Sequence, residues 1–211
     1  RLTIRYSAGS DVDATGAAPI DPRELLTDWG PNEVLTLLER PIFVEGGYGR
    51  VRFHHRSVME FLAARQIHDL IEAGLLAQSA ACRMLFGLTG SNETILRPSM
   101  RPAAAWLALL RPDMFERVVK IEPDCLLTLG DPESLTDLQR ERALLGFVAR
   151  YGKGQWRGLE VPNLQVARLA QLGLTGTVQS AWAAGVEAPE VRELLLRLVS
   201  AGGMQGCADQ I

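Results

Sequence analysis

The chain has 211 residues, of which 47% are hydrophobic and 22% charged, an ordinary composition for a folded globular protein. That length allows one large domain or two small ones. A net charge of -3 gives no general drive toward nucleic acid. No apolar run approaches the roughly 20 residues needed to cross a bilayer, so no membrane partner is expected. Cys82, Cys125 and Cys207 are odd in number and widely spaced, which suits a reducing compartment better than a disulfide framework. The first residues show no signal-peptide pattern. The expected location is therefore cytoplasmic.

In chain order, Leu2, Ile4 and Tyr6 alternate with polar residues and predict a short strand. Residues 7–20 are small and polar and predict a mobile loop. Asp21-Pro22-Arg23-Glu24 opens a helix with Asp as N-cap, Pro at N1 and Glu at N3. Leu25, Leu26 and Trp29 form its expected apolar face. Residues 32–40 predict a second helix with Val34, Leu35, Leu37 and Leu38 inside, stopped by Pro41.

Residues 42–44 and 50–53 predict two strands joined by the glycine-rich turn at 45–49. Gly46 and Gly47 are the expected positive-φ positions. From Ser57 the period lengthens, and Ala63, Ile67, Leu70 and Ile71 fall on one helical face. Ser57 and Glu60 have the spacing of a capping box. Gly74 is the expected C-terminal cap. Beyond it the pattern is helical, with no strand signal after Phe53.

Helices are expected over 76–86, 102–110, 112–120, 123–129, 136–151, 164–172, 178–184 and 189–201, several opened by proline at N1. Short amphipathic helices in series suggest stacked helix pairs. The fold class expected is mostly α: the C-terminal part of a winged helix with a β-hairpin wing, followed by a HEAT-like helical array. A winged-helix-like segment is expected over 1–80 and a helical repeat-like domain over 81–211. The chain starts at Arg1 rather than Met and ends on residues that read like a helix start. It is expected to be a piece of something larger.

No phosphate loop of the form G-x-x-x-x-G-K-S/T occurs, and Gly152-Lys153-Gly154 has the wrong spacing for one. No catalytic residues and no metal ligands are expected. His54, His55, Glu60 and His68 fail as a metal set. The strand sends His54 and His55 to opposite faces, and His68 lies about two turns beyond Glu60. Arg50, Arg52, His54, His55, Arg56 and Arg65 form a local basic cluster that could touch DNA phosphate. The helix that would enter the major groove carries Glu33 and Glu39 and is rich in leucine, which argues against DNA. His55 and Arg56 stand where a strand ends and a helix begins, so their donors and the helix N-terminus suit an anion.

Phe53-His54-His55-Arg56-Ser57-Val58-Met59-Glu60-Phe61-Leu62-Ala63-Ala64 resembles the F-x-H-R-S-x-x-E-F/Y-L-A-A signature of NACHT-type STAND NTPases. The sequence departs at Val58-Met59, where an aromatic residue and Gln are frequent in the family. Weaker similarity extends over about 28–131, including Ala104-Ala105-Trp106-Leu107-Ala108 and Glu122-Pro123-Asp124. The likeness is strongest to prokaryotic members. In that family the motif closes the winged helix that follows the nucleotide-binding domain.

The resemblance implies that His55 contacts the β-phosphate of ADP and holds a closed state, with Arg56 beside it. It implies ADP or ATP with Mg in a longer protein, and no nucleotide bound by this chain alone. Its implied partners are a nucleotide-binding domain of the same chain, a protein or phage ligand at the helical region, and other copies when activated. Anti-phage defence is the implied setting. The alternatives are a helical protein-binding scaffold without nucleotide dependence, and a winged-helix DNA-binding regulator.

Overall fold

The computed structural model describes residues 4–5, 20–47, 49–154, 161–170 and 172–207. These residues are mostly helical, with two small antiparallel sheets. The chain forms two compact units, 1–59 and 60–211. The division falls inside one helix, whereas the sequence pattern placed it at residue 80.

The first unit begins with β1 (Ile4–Arg5), α1 (Pro22–Leu25) and α2 (Pro31–Leu38). It continues with β2 (Phe43–Gly47) and β3 (Arg50–Phe53). Asp21 caps α1 by accepting from the Arg23 amide at 3.0 Å. Glu33 caps α2 by accepting from the Gly30 amide at 2.7 Å. The sheet order is β1-β3-β2, all antiparallel, with Ile4 opposite Val51 and Phe43 opposite Phe53. A register shift between Glu45 and Gly47 breaks the hairpin ladder. Among the described residues of this unit, positive φ falls at Gly47 and Gly49, not at Gly46.

Val34, Leu38 and Val51 form the small core, with Ile4, Leu26 and Phe43 against it. Leu25 is 71% exposed, contrary to the expected apolar face. The helix is only four residues long, so no stripe of two turns can form, and Leu26 alone turns inward. Leu2, Tyr6 and the loop expected over 7–19 lie outside the described residues.

The second unit takes up α3 (Arg56–Glu72) from residue 60 onward. Gly74 ends α3 in the left-handed conformation, φ +70°. The amides of Leu75 and Leu76 then return to the Leu70 carbonyl at 2.9 and 3.0 Å, a Schellman-type stop. On α3 the buried positions are Ala64 and Ile67, while Ala63 is exposed. Ile67 is buried and Leu70 and Ile71 are half-buried, as expected, so only Ala63 departs from the expected face and Ala64 takes its place.

α4 (Gln78–Leu85) runs into a hairpin, β4 (Phe86–Leu88) and β5 (Thr94–Leu96), with Phe86 opposite Leu96. This hairpin overturns the expectation that no strand follows Phe53. Each strand has three residues, too few for a period of two to stand out. Its turn is fixed by the Thr89 amide on the Glu93 carbonyl at 2.9 Å. Asn92 supplies the left-handed residue, φ +65°.

Among the described residues, α-helices follow at α5 (Arg101–Leu110), α6 (Pro112–Ile121), α7 (Asp124–Thr128), α8 (Asp137–Tyr151), α9 (Asn163–Leu169), α10 (Thr175–Ala183) and α11 (Pro189–Gly202). Leu85, Leu107, Met114, Phe147, Leu195 and Leu198 are among the fully buried side chains of one continuous core. Proline stands in the first turn of α5, α6 and α11 as its fixed φ predicts. α7 begins one residue after Pro123, so that proline is the cap. Among the described residues, no helix is long and apolar enough to cross a membrane.

Candidate functional site

The junction of β3 and α3 is built by a strand that runs out of partners. Phe53 is the last paired residue of β3, and its ring lies 4.9 Å from that of Phe43. The His54 amide adds one further rung, donating to the Ile42 carbonyl at 2.8 Å. His55 then turns the chain, and its carbonyl accepts from the Val58 amide at 3.2 Å. α3 therefore starts at Arg56. Ser57 is the second helical residue rather than the residue before the helix, so it does not occupy the N-cap position that a capping box requires.

His54, His55, Arg56 and Ser57 are all exposed. The two imidazoles stack, with centroids 4.3 Å apart and planes 17° from parallel. They do not point to opposite faces as the strand pattern predicted. Alternation requires strand geometry, and the strand stops at Phe53. Imidazole nitrogen lone pairs lie in the ring planes, so face-to-face rings make a stack and not a chelate.

The wider basic cluster is dispersed. Arg50 is only 4% exposed, and Arg65 pairs with Asp69 along α3 at 3.0 Å. His68 is half-buried, further along the same helix. A shallow groove of about 340 Å³ lies on α2, lined by Trp29, Asn32, Glu33, Thr36, Leu37 and Arg40. Within it Glu33 is bound to the Gly30 amide and Thr36 to the Asn32 carbonyl.

A second polar constellation lies in the helical unit, and the sequence reading assigned it no role. Arg101 of α5 meets Glu122 at 2.9 Å and Asp124 at 2.5 Å, and its Nε lies 3.2 Å from Cys125 Sγ. Tyr151 of α8 donates to Asp124 at 3.2 Å, and the Leu96 amide of β5 donates to Glu122 at 2.9 Å. Burial pushes the Cys125 thiol up to about 12, with the Asp124 charge adding to it. Burial, then Asp124, also raises Tyr151 to about 12. Burial raises Glu122 above the ordinary carboxylate value, although Arg101 and the Leu96 amide oppose the shift.

Glu122, Asp124 and Cys125 are the one group among the described residues whose atoms could share a metal ion. The Arg101 guanidinium already pairs with both carboxylates, and burial holds the Cys125 thiol above its ordinary pKa. The arrangement is a structural network that ties β5, α5, α7 and α8 together. Glu122-Pro123-Asp124 was visible in the sequence, but nothing at Arg101 or Tyr151 signalled their convergence on it.

Compared with known proteins, the chain matches no family model, no curated protein and no solved structure.

Proposed function

We propose that this chain is a regulatory part of a NACHT-like STAND ATPase. The first unit would be the end of a winged helix, and the second a HEAT-like array that recognises a protein or phage ligand. The observation that carries the reading is the exposed His55-Arg56 pair at the start of α3, immediately after the hairpin. Imidazole and guanidinium donors beside a helix N-terminus fit one phosphate group. The remaining contacts to ADP, its Mg and the hydrolytic chemistry would come from a nucleotide-binding domain of the same longer chain. This chain contributes no phosphate loop.

In this reading His55 stabilises a closed, ADP-bound form, and ligand binding to the helical array releases it toward an oligomer, in a defence setting. The test is the ADP carried by the purified full-length protein. His55→Ala should leave it depleted, and unchanged ADP content would make the histidine structural.

One observation favours a second reading, a protein-binding scaffold without nucleotide dependence. Leu138 and Leu145, seven residues apart on α8, are 63% and 38% exposed on the same face. The DNA-binding alternative draws no support from the first unit, where Arg50 is buried and Glu33 faces the groove on α2.

A further inference from the structure

We propose that His54 is a positioning residue that orients the His55 imidazole for its phosphate. The inference rests on the reading of His55 as a phosphate contact and adds a role for its neighbour. An exposed imidazole at the start of a helix has rotamer freedom, and binding an anion through it costs that freedom. Here the ring has a packing partner of its own. It lies against His54 at 4.3 Å, nearly parallel.

His54 is itself referred to the hairpin. Its amide bonds to the Ile42 carbonyl at 2.8 Å, one rung beyond the Phe43–Phe53 pair. The direction of His55 is thus set by the β2–β3 ladder through a ring contact, and not by the turn alone. His54 touches no phosphate in this arrangement. It supplies a flat face, which an aromatic ring of another kind can replace.

The experiment uses inorganic pyrophosphate as the probe and the imidazole proton resonances of His55 as the readout, at fixed pH. Parent, His54→Ala, His54→Phe and His55→Ala chains are titrated side by side. The parent should bind weakly, in the millimolar range, with the His55 signals moving. An aromatic stack contributes a factor of roughly two to ten in such an equilibrium. His54→Ala should therefore weaken binding by about that factor, and His54→Phe should restore it. Parent-like binding by His54→Ala would overturn the inference. So would His54→Phe binding as weakly as His54→Ala, because the imidazole would then be needed for its polar atoms. If pyrophosphate leaves the His55 signals of the parent unmoved, His54 has nothing to position and the inference fails, while the phosphate reading stands or falls on the ADP content of the full-length His55→Ala protein. That outcome is distinguished because it needs no substitution at 54.

Discussion

The guanidinium of Arg101 on α5 lies 2.9 Å from the carboxylate of Glu122, twenty-one positions along the chain, and reaches Asp124 with its other arm. Asp124 is 5% exposed, so its charge depends on that arm and on Tyr151. Removing one partner of such a pair leaves a charge stranded in low dielectric. Because Arg101 retains 33% side-chain exposure, the loss is discounted from that of a fully buried pair. Arg101→Met should destabilise the chain by about 2–3 kcal/mol. Urea denaturation followed by circular dichroism measures it, and an unchanged midpoint would show that the network is incidental.

Glu122 gives the same network a pH signature. Its pKa is raised in the folded state, chiefly by burial. Folding therefore favours the protonated carboxyl. That contribution is fully present below the ordinary Glu value and is lost as pH rises through the raised folded value. Glu122→Gln keeps an acceptor for the Leu96 amide and does not titrate. The stability of the parent relative to this variant should fall as pH rises from the ordinary carboxylate range through the folded value. A difference that stays flat or grows with pH would contradict the assignment.

Helix caps offer a direct comparison between two serine/threonine sites. Thr136 precedes α8 and accepts from the Gln139 amide at 3.3 Å, while Gln139 returns to the Thr136 amide at 3.0 Å. Thr136→Ala should cost about 1 kcal/mol. Ser57 lies inside the first turn of α3 and is exposed, so Ser57→Ala should cost under about 0.5 kcal/mol. Thermal or urea unfolding of the two variants decides it. The reverse order would place the cap at Ser57 after all.

The thiols should also separate. Cys125 is buried and its pKa is pushed to about 12, so almost no thiolate forms at neutral pH. Cys82 is half-buried. Iodoacetamide on the native chain at pH 8 should label Cys82 and spare Cys125 until unfolding. Fast labelling of Cys125 in the native state, mapped by peptide mass spectrometry, would show that the Arg101 network opens.

Long, strongly patterned elements were legible in the sequence. The helix expected over 189–201 is α11, and of its apolar residues Val191, Leu194, Leu195 and Leu198 are buried and Val199 is half-buried. Gly74 and Asp21 were readable because caps act locally. Four kinds of feature were not legible. The β4–β5 strands are too short to show a period. On α3 the inward alanine is Ala64 and not the expected Ala63, because the two are equally apolar and only packing selects between them. The His54–His55 stack follows from where β3 stops, which is decided by its partner strand. Arg101 and Tyr151 meet Asp124 through tertiary packing over separations of 23 and 27 residues, and no local pattern encodes that.

The central claim is that His55 holds ADP in a closed state of a longer protein, and the rate of ADP release measures it most directly. A charge-assisted hydrogen bond made only in the closed form contributes about 1.5–3 kcal/mol to that form. Full-length His55→Ala should therefore release ADP roughly ten- to a hundredfold faster than the parent in a chase with unlabelled nucleotide. An unchanged release rate would contradict the account and leave the scaffold reading as the better one.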